Sequence, residues 1–245
     1  MIRDYLTEIA LNYFKIDRRN LVLKKNKSMV HHLSKEHSLL SNWIAELRDV
    51  NVQNDRMRFR RNIERIGEVI AYEMSKHMAS KQVKTTTPLG IHDSKVLNEQ
   101  PVLATILRAG LPLHQGMLNY FDKADNAFIS AYRKHHDDGS FEISIEYLSC
   151  PDLNNRILIV ADPMLATGAS LVQTIQAITK TQQPKEIHIA VAIASKAGIE
   201  LVEKELGKNI PIWCGDIDDI LNDKSYIVPG LGDAGDLAFG TKMQH

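Results

Sequence analysis

The segment from Asp162 to Ser170 reads Asp-Pro-Met-Leu-Ala-Thr-Gly-Ala-Ser and follows the apolar run Ile157–Ala161. A carboxylate at the end of such a run is placed to hold a sugar hydroxyl. Gly168 and Ala169 let the backbone approach a ligand closely. Thr167 and Ser170 add hydroxyl donors where a helix is about to begin. Free N–H groups and the helix dipole favour a phosphate there. The segment is no P-loop and no dinucleotide fingerprint, because neither G-x-x-x-x-G-K-[ST] nor G-x-G-x-x-G occurs in it. An ordinary capped helix start is the plainer alternative.

Two arginines and a glycine-rich block extend the set. Arg108 ends the run Ile106-Leu107 and precedes Ala109-Gly110, small residues that permit a tight turn over a ligand. Arginine holds a phosphate in two places and stays charged. The alternative for Arg108 is a simple ion pair with a nearby acid. Arg133 opens the polar stretch 133–141 between two β-rich runs, which reads as a hairpin arm or lid. Tyr226–Gly240 holds four glycines and one proline among Tyr, Ile, Val, Leu and Phe. That mixture argues for an ordered binding loop whose backbone groups read a ligand edge.

The elements that must position these residues follow from periodicity. A helix is expected over 55–78, with Phe59, Ile63, Ile66, Ile70, Met74 and Met78 along one face. Its arginines at 56, 58, 60, 61 and 65 are read as salt-bridged and solvated rather than as an anion or subunit contact. From Pro101 on, short β-rich runs alternate with helical stretches at 111–120, 170–179 and 197–206. This is the α/β pattern, with a parallel sheet and right-handed crossovers. Ligands then bind outside the carboxyl ends of strands, so the loops after 103–107, 129–132 and 157–161 are expected to carry the chemistry.

Composition sets the limits. The 245 residues carry 30 Lys+Arg against 30 Asp+Glu, which disfavours a general nucleic-acid coat. Residues 15–35 are rich in Lys and Arg, read as a solvated surface. Two cysteines, Cys150 and Cys214, make neither a disulfide framework nor a four-thiolate zinc site. No apolar run approaches the ~20 residues of a membrane span. A cytoplasmic chain without membrane or nucleic-acid partners is expected. Residues 1–36 are expected to form a basic N-terminal extension, and 37–245 a single domain.

The blocks Ile106–Leu111, Asp162–Ser170 and Tyr226–Lys242, in that order, resemble the uracil branch of the type I phosphoribosyltransferases. The resemblance is strong over 101–242. It implies a parallel sheet flanked by helices, a β-hairpin arm and a C-terminal base-binding loop. It implies transfer of a phosphoribosyl group from phosphoribosyl diphosphate to uracil, giving uridine monophosphate and pyrophosphate. On this resemblance Asp162 holds the ribose hydroxyls, and the loop through Pro163, Met164, Leu165, Ala166, Thr167, Gly168, Ala169 and Ser170 cradles the 5′-phosphate. Arg108 and Arg133 meet the diphosphate. Ile227, Gly232, Asp233 and Ala234 surround uracil, with Asp233 also serving the phosphoribosyl donor, the metal or the base proton. Mg²⁺ arrives on the diphosphate, with no direct protein ligand. GTP activation and a dimeric or tetrameric homo-oligomer also come with the family.

Two departures stand out. Ala169 replaces a usual glycine, which requires that its φ be negative. Pro112 replaces another, which requires that it lie in a first helical turn. Two other readings remain at this level. One is an RNA-binding attenuation regulator on the same fold, which would need a concentrated basic face. The other is a transferase for a different base.

Overall fold

The computed structural model describes residues 29–135 and 141–242, with backbone alone over 131–135 and 141–146. The chain begins with β1 (Val30–His32), a 3-10 turn (Leu33–Lys35), α1 (Leu39–Arg48) and α2 (Arg56–Ser75). A hairpin of β2 (Ser80–Thr87) and β3 (Gly90–Leu97) precedes β4 (Val102–Leu107), α3 (Leu111–Tyr120), β5 (Asp125–His135) and β6 (Phe141–Ser149). Then come β7 (Ile157–Ala161), β8 (Met164–Leu165), α4 (Ala169–Thr179), β9 (Glu186–Ser195), α5 (Lys196–Leu206) and β10 (Ile212–Asp218). Short strands β11 (Ile220–Leu221) and β12 (Ile227–Val228) and helix α6 (Ala234–Phe239) complete it.

The main sheet runs β1-β10-β9-β7-β4-β5-β6, with β8 alongside β9. Every pairing is parallel except β5 with β6. The alternation of strand and helix from Pro101 therefore produces the expected parallel α/β sheet. Period 2 divides its residues between two layers. On β7, Ile157, Ile159 and Ala161 join the core under α1, α2 and α3. Leu158 and Val160 face the core under α4 and α5. All five are buried, as suits a strand covered on both faces.

Helix α2 starts where Asp55 accepts the Arg58 N–H at 3.0 Å. Phe59, Ile63, Ile66, Ile70 and Met74 are all buried on its inner stripe. The helix ends at Ser75, short of the expected Met78, which packs half-buried against the same core. Two of its arginines form salt bridges: Arg58 pairs with Glu46, and Arg61 with Glu64 and Glu68. Arg60 donates to the Ala238 carbonyl, and Arg65 lies over the Trp43 ring.

Sequence periodicity did not reveal α1 or the β2–β3 ribbon. The ribbon is almost wholly exposed, so no buried face imprints an alternation on its residues. Strand β5 also runs further than expected. It continues through Arg133, opposite Ile143, to His135, so Arg133 lies within a strand and not in a loop after one.

Helices α2 and α3 cross at two glycines. A Cβ on Gly67 would stand 2.3 Å from the Leu113 carbonyl oxygen, and one on Gly116 only 1.9 Å from that of Glu64. Backbone meets backbone, so neither position has a flexible side chain to yield. Gly116→Ala is expected to cost about 1–3 kcal/mol by overpacking. Thermal unfolding followed by circular dichroism should show a Tm lowered by several degrees.

Candidate functional site

The sheet order reverses at β4. Strand β5 lies on one side of it and β7 on the other. Loops leaving the carboxyl ends of β4 and β7 consequently part to either face and open a crevice between them. The first loop carries Arg108, the second Asp162 and the segment to α4. Gly110 lets the two strand ends close together. A Cβ there would lie 2.2 Å from the Thr105 hydroxyl and 2.9 Å from the Ala161 carbonyl oxygen. The small residues after Arg108 thus serve close packing of the two loops.

Asp162 sits half-buried at the mouth of β7, with its carboxylate oxygen Oδ1 accepting the Met164 N–H at 3.2 Å. Burial pushes its carboxyl up to about 6, against the pull of that hydrogen bond. The chain then runs along β9, where Met164 faces Ile193 and Leu165 faces Ala194. The Pro163 carbonyl takes N–H groups from Ala192 and Ile193 at 3.1 and 3.0 Å. The Ser195 hydroxyl donates to the Ala166 carbonyl at 2.5 Å and accepts the Gly198 N–H at 2.9 Å. Gly198 presses on the same segment: a Cβ there would stand 2.5 Å from the Ala166 oxygen.

The left-handed residue of this loop is Gly168, with φ of 81°. It forms the N-cap of α4 and supplies no side-chain cap. The N–H groups of Ser170 and Leu171 in its first turn are therefore left for water or a ligand. Thr167 Oγ1 accepts only the Ala169 N–H, at 3.4 Å. Ala169 itself opens the helix and needs no positive φ, so its extra methyl is accommodated. Pro112 lies in the first turn of α3, where its missing N–H is harmless.

Arg108 meets an acid as well as facing the crevice. One guanidinium nitrogen donates to Asp236 Oδ1 at 2.9 Å and to the Gly240 carbonyl at 2.5 Å. Its Nε is buried without a partner among the described residues. Asp233 caps α6 by accepting the Asp236 N–H at 2.9 Å. A Cβ on Gly235 would lie 3.2 Å from Asp233 Oδ1 and 3.7 Å from the Ala109 Cβ. The 106–111 and 230–236 blocks, distant in sequence, are thus in contact. Ile227 is buried on β12 opposite Leu221, Gly232 has a φ of 93°, and Ala234 begins α6. The Arg133 side chain lies outside the described residues.

A cleft of about 360 Å³ runs beside this block. Gly232, Asp233, Asp236, Leu237 and Thr241 form one wall, and Gln53, Asn54 and Arg56 the other. The second wall was not anticipated. It comes from the turn between α1 and α2, and only the crowd of arginines after Asp55 hinted at it. The phosphate-loop candidates do not line this cleft.

The fold and these loops match known proteins. A family model described as uracil phosphoribosyltransferase matches residues 34–241. A uracil phosphoribosyltransferase of Porphyromonas gingivalis is 53% identical over 214 residues, spanning 87% of this chain and 99% of that one. One from Methanothermobacter thermautotrophicus is 38% identical over 184 residues, spanning 74% and 83%. The solved structure of the AQ2163 protein from Aquifex aeolicus superposes with a TM-score of 0.77 at 30% identity, covering 88% of this chain and all of that one.

The raised Asp162 carboxyl couples the site to stability. Its folded value exceeds the ~3.9 of an unfolded aspartate, so ionisation opposes the empty fold. That cost is absent below about pH 4 and complete above about pH 6. Asp162→Asn should therefore raise Tm at pH 8 without substrate, and the gain should vanish below about pH 4 in scanning calorimetry.

Proposed function

The chain belongs to the uracil phosphoribosyltransferase family, a family of pentosyltransferases, and from that premise we propose how its crevice performs the transfer. The bond from the anomeric carbon to the diphosphate oxygen breaks, and a bond to a uracil ring nitrogen forms. Positive charge builds on the sugar and negative charge on the departing pyrophosphate, while the base nitrogen loses its proton.

One observation carries the assignment of residues: the Asp162 loop and the Arg108 loop share the switch point of the sheet, and the Arg108 turn touches the 235–240 segment. The first-turn N–H groups of α4, with Thr167 and Ser170, hold the 5′-phosphate. Asp162 in its ionised form accepts the ribose hydroxyls. Arg108 turns from Asp236 and the Gly240 carbonyl toward the diphosphate, with Arg133 as its partner from the arm. Backbone groups near Ile227, Gly232 and Ala234 read the acceptor–donor–acceptor edge of uracil. Asp233 stands between the base and the donor. Fixed donors aimed at developing charge supply much of the rate, and alignment of the two reactants a further share.

Mg²⁺ fits as a counter-ion of the diphosphate. Asp233 and Asp236 at the cleft each have one oxygen engaged within the protein, and the described residues gather no cluster of three or more metal-ligating side chains. Asp233 and Asp236 would face such a cation across its waters rather than as direct ligands. When bound it neutralises charge on the leaving group.

The family supports extending this reading to pyrimidine salvage, to GTP activation and to a homo-oligomer in the cytoplasm. The described residues include no helix long and apolar enough to cross a membrane. Residues 37–245 are taken as the catalytic domain, to which Val30–His32 adds an edge strand. The regulator and other-base readings are not favoured, because the family match extends across both the loops and the base block.

The test is formation of uridine monophosphate from uracil and phosphoribosyl diphosphate with Mg²⁺, beside cytosine, hypoxanthine and orotate. Uracil-selective turnover is expected, falling about 100-fold or more in Asp162→Ala and Arg108→Ala. Turnover with another base alone, or with none in the presence and absence of GTP, overturns the reading. In Asp233→Asn, unchanged turnover would remove any proton-transfer role for that carboxylate.

A further inference from the structure

Arg48 ends α1, far in sequence from the base block, yet one of its four terminal hydrogen bonds reaches that block and the other three go to carboxylates of β10. One terminal nitrogen donates to Asp218 Oδ2 at 2.7 Å and to the Gly230 carbonyl at 2.9 Å. The other donates to Asp216 Oδ2 at 2.8 Å and to Asp218 Oδ1 at 2.9 Å. Asp218, only 8% exposed, also accepts the Gly230 N–H at 3.0 Å. Both polar backbone groups of Gly230 are thereby tied to one buried ion pair. Gly230 has a φ of 57°, and a Cβ on it would lie 2.1 Å from the Ile227 carbonyl oxygen. It is the tight corner between β12 and the Gly232–Ala234 turn.

The ion pair is itself braced. Asp216 accepts His32 Nε2 at 2.9 Å and the Ser34 hydroxyl at 2.8 Å. Burial would raise the Asp216 carboxyl, but the bonds from Arg48, His32, Ser34 and the Ile217 N–H bring it below the ordinary aspartate range. A guanidinium suits this place because its planar fork meets a carboxylate in two bonds and a carbonyl in a third.

We propose that Arg48 is a positioning residue for the nucleobase half of the site, holding Gly230 so that Ile227, Gly232 and Asp233 keep their register around uracil. The proposal rests on the transferase reading above. Arg48 does not line the cleft beside Asp233, so it acts through the loop. The phosphate loop has separate anchors in Ser195 and β9, and Arg108 has its own in Asp236 and Gly240. Loss of Arg48 should therefore strike the two substrates unequally.

Steady-state kinetics of the full chain, Arg48→Lys and Arg48→Gln test this, each substrate being varied at saturating levels of the other. In Arg48→Gln the KM for uracil should rise about tenfold or more, with the KM for phosphoribosyl diphosphate within about twofold. Arg48→Lys keeps the charge but loses the fork, and should give a smaller rise with the same selectivity. A merely structural role would lower active enzyme without splitting the two KM values. Equal changes in both, or no change in Arg48→Lys, overturn the proposal. Should Arg48→Gln fail to fold, the split in Arg48→Lys decides alone. An inert unmodified chain would instead overturn the transferase reading, and the proposal with it.

Discussion

Parallel strands deliver all their carboxyl ends to one edge, and this chain reverses its strand order once along that edge. Both facts follow from burying apolar strands between two layers of helices. The crevice between β4 and β7 is where the reversal parts the connecting loops. The residues proposed to act are arranged around it. The Arg108 turn and the Asp162 loop are neighbours because their strands pair, and Gly110 removes the side chain that would hold them apart. The C-terminal block reaches the same edge by packing α6 against α2 and the Arg108 turn.

This arrangement carries a cost that the site itself reveals. Asp162 lies where ionisation is disfavoured, yet the role proposed for it, holding sugar hydroxyls, calls for the carboxylate. Arg108 stands in an ion pair with Asp236, which the proposed contact with the diphosphate would replace. Groups in unfavourable or provisional partnerships gain most from a ligand that completes them. The rigid parts supply the compensation: the β9 clasp on the Asp162 loop, and the Arg48–Asp216–Asp218 network under Gly230.

Arginines show how far residue type alone leaves a role open. Arg58 and Arg61 pair on the surface with glutamates of α1 and α2. Arg60 instead closes the carboxyl end of α6 by bonding the Ala238 carbonyl, although it lies two residues after Arg58 and immediately before Arg61. On a helix, single-residue steps rotate a side chain by about 100°, so adjacent arginines meet different elements. Arg48 bears no local mark at all, because its partners lie some 170 residues downstream.

The sequence by itself determined the parallel α/β class, the buried stripe of α2, the β-rich runs flanking Arg133, and the strand–acid–small-residue–helix segment at 157–170. It also made plain which blocks resemble a known family. These are local signals, since periodicity reports burial and Gly, Ala, Thr and Ser report close approach and helix starts. Only the tertiary structure decided that Arg108 meets Asp236, that Gly198 and Ser195 clamp the Asp162 loop, and that Gln53, Asn54 and Arg56 wall the cleft. It alone also exposed the β2–β3 ribbon and joined Arg48 to Gly230. Each of these depends on which element lands beside which, and that is set by sheet order and helix packing rather than by any spacing along the chain.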